Sequence, residues 1–132
     1  MTFEEFLAER ALSTKSAELN VGDEVGGGLY LGNYKGADYI VTHKEHKEKL
    51  SWEEGVEYCN NLSEGGYSDW FLPSKEELNF AYMQTKTHGD KLNFEKAWHW
   101  SSSEYWIKTF SYGGKTETNK DNKYYVRAFR KL

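Results

Sequence analysis

One cysteine in 132 residues leaves Cys59 with no partner for an intrachain disulfide. Small domains that fold in oxidising surroundings often depend on such bridges, so the chain is expected in a reducing compartment. No apolar run approaches the roughly 20 residues a membrane-spanning helix needs, which argues against a membrane span. Positive charge is missing where a signal peptide would carry it, since the chain opens Thr2-Phe3-Glu4-Glu5. A formal net charge of −4 removes nonspecific attraction to phosphate backbones and anionic membrane surfaces, arguing against a nucleic-acid partner. Lys115, Lys120, Lys123, Arg127, Arg130 and Lys131 do gather near the end, but Glu117 and Asp121 interrupt them and make a solvated edge of the cluster. Internal repeats are absent, and proline occurs once, at Pro73.

Aromatic residues are abundant: 17% of the chain, with five Trp and ten Tyr. Hydrophobic content of 38% against 29% charge lets a chain of this length fold as one domain around a single core. Ten tyrosines exceed what a small core hides with its hydroxyls satisfied. Two readings follow: an aromatic-rich core, which is the simpler, or a ligand-facing aromatic patch of the kind paratopes use.

The most specified stretch is 65–78, Gly-Gly-Tyr-Ser-Asp-Trp-Phe-Leu-Pro-Ser-Lys-Glu-Glu-Leu. Ser74 and Glu77 have capping-box spacing, and Pro73 sits just outside the first turn, where a missing N–H costs nothing. A helix is therefore expected over 74–83, burying Leu78, Ala81 and Tyr82. Ser51 and Glu54 repeat the box and open a helix over 51–62 with Trp52, Val56, Cys59 and Leu62 inward; Gly65-Gly66 stops it. Thr2 and Glu5 do the same for an amphipathic helix over 2–12, followed by a polar linker. That helix packs on the body, joins copies of the chain into a homo-oligomer, or docks into a larger partner.

Strands are expected at 29–34 and 37–42, joined at Lys35-Gly36 as a hairpin, and at 98–102, 105–112 and 123–130. Phe110, Tyr112, Tyr124, Val126 and Ala128 show the two-residue alternation of a half-buried sheet. Residues 44–49 alternate in charge sign and read as an exposed loop, and 113–122 as a long polar connection. The fold class is α+β: a small, twisted, mostly antiparallel sheet with two helices, its ends close together, plus the N-terminal helix.

Taken in order, Gly26-Gly27-Gly28-Leu29-Tyr30-Leu31-Gly32, Cys59-Asn60-Asn61-Leu62, Asp69-Trp70-Phe71-Leu72-Pro73, Trp100-Ser101-Ser102 and Tyr125-Val126-Arg127-Ala128-Phe129-Arg130 resemble the Lcl C-terminal domain family. The resemblance covers roughly 22–132 and leaves 1–21 as an appended helix and linker. It implies a C-type-lectin-like fold, found in phage, prophage and bacterial surface proteins and generally serving as a binding module. With the amino-terminal and cysteine readings, it implies the cytoplasm of the producing bacterium or a phage virion.

Candidate chemistry is sparse. His43 and His46 would make half a zinc site, but no second Cys or His pair stands at ligand spacing. The Glu-Pro-Asn and Gln-Pro-Asp loops of calcium-dependent lectins are missing. The formylglycine-generating enzymes that share this fold need two reactive cysteines, whereas Cys59 is alone and on a helix face expected to be buried. His99 beside Ser101, Ser102 and Ser103 lacks a glycine-framed nucleophile elbow. Asp69 beside Trp70 suits either a turn or a sugar contact, and Arg127 is expected inward, paired with a carboxylate such as Asp69 or Glu77. No catalytic residue, metal or cofactor is assigned. The expected function is non-enzymatic binding of a host protein or surface ligand, a receptor or carbohydrate, with an intracellular inhibitor of a host defence protein as the alternative and a metal-dependent enzyme as the third. The expected contacts are Trp100, Tyr105, Trp106, Tyr112 and Asn119.

Overall fold

The computed structural model describes residues 19–132, so the helix expected over 2–12 lies outside the described residues. The first sheet is built from β1 (Glu24–Val25), β2 (Gly28–Tyr34), β3 (Ala37–Val41) and β7 (Phe129–Lys131), in the order β1-β2-β3-β7 and antiparallel throughout. A second sheet, β4 (Trp98–Trp100), β5 (Trp106–Thr109) and β6 (Lys115–Glu117), is also antiparallel. Between the hairpin and the second sheet run α1 (Trp52–Asn61) and α2 (Lys75–His88). The fold is α+β with two sheets rather than the single sheet expected. No helix among the described residues is long and apolar enough to cross a membrane.

Both capping boxes form. Ser51 Oγ accepts from the Glu54 N–H at 3.4 Å while Glu54 accepts from the Ser51 N–H at 2.9 Å; Ser74 and Glu77 repeat this at 3.1 and 2.8 Å. The Glu54 carboxyl lies below its ordinary range because it accepts from the Ser51 backbone and side chain. The helix expected to end near residue 83 continues to His88 and stops at Gly89, where φ is 71°. Lys86 and His88 in its last turn complement the helix dipole, and Gln84 donates to the Leu31 carbonyl at 3.0 Å. Beyond it a 3₁₀ turn, Gly89–Leu92, buries Leu92.

The first sheet is buried on both faces, because alternate residues feed two apolar clusters. Leu29, Leu31, Tyr39, Val41 and Phe129 meet Leu78 and Ala81 of α2, together with Phe110. Tyr30, Ile40 and Ala128 meet Cys59 of α1, Trp70, Leu72, Trp100 and Ile107.

The strand expected over 123–130 is a ladder only at β7. Upstream, the chain threads between the sheets, where Tyr124 bridges Leu50 and Tyr125 bridges His99; at the head of β7, Phe129 also bridges Phe71. Residues 126–130 are all buried, which overturns the half-buried alternation: a segment lodged between two layers has no solvent face. The expected 113–122 loop contains β6, an edge strand whose Lys and Glu read as loop. Arg130 Nη1 donates to the Gly26 carbonyl at 2.8 Å, tying β7 to the turn before β2; the expected proximity of the chain's ends involves residues 1–18, outside the described residues.

Candidate ligand-binding groove

Glu76, Asn79, Phe80 and Met83 recur at i, i+3, i+4 and i+7, forming one face of α2, with Lys75 at its head. This face is separate from the buried Leu78 and Ala81. Opposite it, Trp106 of β5 and Lys115 of β6 stand on one side of the second sheet: Trp106 is cross-strand from Glu117, and Lys108 from Lys115. Tyr34, ending β2, stacks on Phe80 with ring centroids 4.9 Å apart at 24°. These side chains line a groove of about 430 Å³ with an aromatic and thioether floor and a rim of Lys75, Glu76 and Lys115. Met83 is 48% exposed, and it adds apolar surface to that of Phe80 and Trp106 in the same groove. Beyond Tyr34 and Glu76 lies a further trough of about 450 Å³, lined by Lys35, Tyr39, Glu77 and Lys131.

The five residues expected as contacts do not form one site. Trp106 lines the groove. Trp100 is 0% exposed, with its indole N–H donating to the Leu50 carbonyl at 2.8 Å, so it is a core residue and is withdrawn from the contact set. Tyr105 packs edge-on against Trp52, centroids 5.2 Å apart, at a turn with φ of 57°. Tyr112 lies past the end of β5, 70% exposed and edge-on to Trp98 at 6.3 Å. Asn119 shapes its own turn, accepting from the Asp121 N–H at 2.8 Å. The expected strand over 105–112 is shorter, and so these side chains point to different parts of the surface. Sequence reading missed Tyr34, Asn79, Phe80 and Met83. The available signal was a second apolar pair, Phe80 and Met83, off the buried stripe of α2.

The remaining titratable groups are tied into the frame. Arg127 is inward as expected, but its carboxylate is Glu45, not Asp69 or Glu77. Its guanidinium donates through Nε to the Thr42 carbonyl at 2.8 Å and through Nη2 to Leu92 at 2.6 Å. Burial draws it down to about 10, against the pull of Glu45. Glu45 accepts from His99 Nε2 at 2.7 Å and from the Glu95 N–H at 2.9 Å. Burial alone would raise its carboxyl; the His99 hydrogen bond and the Arg127 charge hold it below the ordinary glutamate range. Glu45 thus overturns the reading of 44–49 as wholly exposed, its side chain being 4% exposed.

Asp69 receives Arg130 Nε at 2.8 Å and Nη2 at 3.3 Å, which holds its carboxyl down, and the guanidinium lies 3.7 Å above the Tyr67 ring. Glu77 accepts from the Tyr39 hydroxyl, whose titration burial and that bond push upward. Burial raises the Cys59 thiol to about 12. Lys108 Nζ donates to the Gly113 carbonyl at 2.9 Å over the Tyr82 ring, lowered by burial and by Lys115. His43 contacts Glu24 and His46 packs on Tyr58; among the described residues no group of three His, Cys, Asp or Glu is placed to hold a metal ion.

The model of the Lcl C-terminal domain family matches residues 32–130, from within β2 to within β7. The chain belongs to the Lcl C-terminal domain family. No curated protein matches it. Within this Lcl C-terminal domain, the family match takes in both helices and every residue of the groove from Tyr34 to Lys115.

Proposed function

We propose that this Lcl C-terminal domain is a non-enzymatic binding module of C-type-lectin-like type, phage- or prophage-encoded, that recognises a host protein or surface ligand through the groove between α2 and the second sheet. The observation that carries this reading is the groove floor, where Trp106, Phe80, Tyr34 and a half-exposed Met83 face solvent together. Aromatic and methionine side chains of this kind anchor interfaces, and a charged rim orients the partner. Support also comes from the titratable groups, whose hydrogen bonds and ion pairs serve the frame. Two antiparallel sheets, with Arg130 of β7 donating to the Gly26 carbonyl ahead of β2, suit a lectin-like architecture.

Affinity capture from separated envelope and cytosolic fractions of a bacterial lysate tests this, comparing the natural chain with a Trp106→Ala, Met83→Ala variant shown to be folded at the assay temperature. An envelope component retained only by the natural chain supports surface recognition. A cytosolic protein retained only by the natural chain moves the reading to an intracellular inhibitor. Identical capture by both chains overturns the groove.

A further inference from the structure

Lysines border the groove and its neighbouring trough: Lys75 and Lys115 the first, Lys35 and Lys131 the second. All four are exposed, and none stands in an ion pair among the described residues. Lys35 Nζ lies over the Tyr34 ring at 5.4 Å and Lys131 Nζ over Tyr39 at 5.6 Å, so each ammonium leans on the floor it borders. Nearby carboxylates do not cancel them. Glu77 is taken up by the Ser74 N–H at 2.8 Å and by the Tyr39 hydroxyl. Glu76 lines both hollows, and Glu117 stands cross-strand from Trp106, which leaves these two carboxylates against four ammoniums. On a chain of net charge −4, this face carries the opposite sign.

The two hollows are continuous. Tyr34 and Glu76 line both, so an occupant crosses from one to the other over the Tyr34 ring. From Lys75 to Met83, α2 rises about 12 Å, the length of about four extended residues.

Taking the groove as the binding site proposed above, we infer that it receives an acidic peptide segment of its partner. An aromatic or aliphatic side chain sits on Phe80, Met83 and Trp106, and neighbouring Asp or Glu residues meet Lys75 and Lys115. Carboxylates further along meet Lys35 and Lys131. An extended peptide alternates its side chains, so apolar and acidic residues address floor and rim in turn. Met83 adapts to apolar side chains of different shape. A nucleic acid would stack bases on the floor but draw an unbroken row of phosphates past Glu76 and Glu117. A neutral glycan would leave the four ammoniums without a counter-charge.

The test selects a display library of short random peptides on the full chain, then titrates the enriched peptides as synthetic probes. The expected sequences combine aromatic or aliphatic residues with Asp and Glu. Their affinity should fall by up to about fivefold in Lys75→Ala and again in Lys115→Ala, the worth of exposed ion pairs, and should weaken with added salt. Lys47→Ala, with the same change of net charge away from the groove, should bind as the natural chain does. Trp106→Ala, checked for folding by circular dichroism, should lose the peptides. Neutral or basic peptides that are lost with Trp106→Ala overturn the acidic partner and leave the groove standing, as do peptides indifferent to both lysines. Peptides indifferent to Trp106 as well, or no enrichment at all, overturn the groove with it. Trp106-dependent binding of a single-stranded oligonucleotide, titrated in parallel, overturns the peptide in favour of a nucleic acid.

Discussion

Glu45 Oε2 sits 2.7 Å from His99 Nε2, with side chains 4% and 0% exposed, across 54 residues of sequence. Burial of such a pair is costly, and removing one partner strands the other. Glu45→Ala should therefore destabilise the protein by about 3 kcal/mol, as broken buried pairs do. Glu45→Gln, which keeps an acceptor, should cost less. Urea unfolding of both variants checks the order.

The same carboxylate sets a pH dependence. Its folded-state titration is lowered, so its stabilisation is fully present above the ordinary glutamate value of 4.5 and is lost as pH falls through the lower folded value. Stability of the natural chain should decline on that acid limb, and Glu45→Gln should flatten the decline. Equal acid limbs in the two proteins would contradict the pairing.

Cys59 should be chemically silent while the protein is folded. It is fully buried in an apolar cluster, and burial lifts its thiol to about 12, leaving almost no thiolate at neutral pH. Alkylation measured by mass shift should track unfolding in a urea series. Rapid labelling of native protein would show that α1 opens locally.

Gly55 is fixed by contact, not by backbone conformation. A Cβ there would lie 2.8 Å from Cγ2 of Val126, in the segment threaded between the sheets. Alanine is worth about 1 kcal/mol over glycine in an exposed helix interior, yet overpacking costs about 1–3 kcal/mol. Gly55→Ala should therefore lower stability, and adding Val126→Ala should recover part of the loss. Chemical denaturation of the single and double variants checks both signs.

The two tryptophans expected as contacts should separate. Trp100→Ala removes a fully buried ring and should cost about 3–5 kcal/mol. Trp106→Ala, in the groove floor, should cost less when both variants are compared by thermal melting, while changing what the protein captures.

Much of this was legible where the determining contacts are local. The capping boxes at Ser51 and Ser74 named both helix starts, and Lys35-Gly36 named the hairpin, because partners lie three or four residues apart. The family resemblance, too, rested on contiguous motifs, and residues 32–130 match. Legibility failed where partners are remote. Glu45 reads as one more charge in an alternating loop until His99 and Arg127, 54 and 82 residues away, arrive beside it. The groove needed four separated elements, β2, α2, β5 and β6, so Trp106 was found from its neighbourhood, while Tyr34 and Met83 were not. Trp100 was misjudged because an aromatic in a short strand reads the same whether it faces the surface or fills the core.

The groove is tested most directly by site-specific photocrosslinking with bacterial lysate, the crosslinker placed at Met83 in one protein and at Glu57, on the exposed face of α1, in another. The account predicts one discrete crosslinked partner from Met83, lost when Trp106 is also changed to alanine, and none from Glu57. Equal crosslinking from both positions, or a Met83 product indifferent to Trp106, would contradict it.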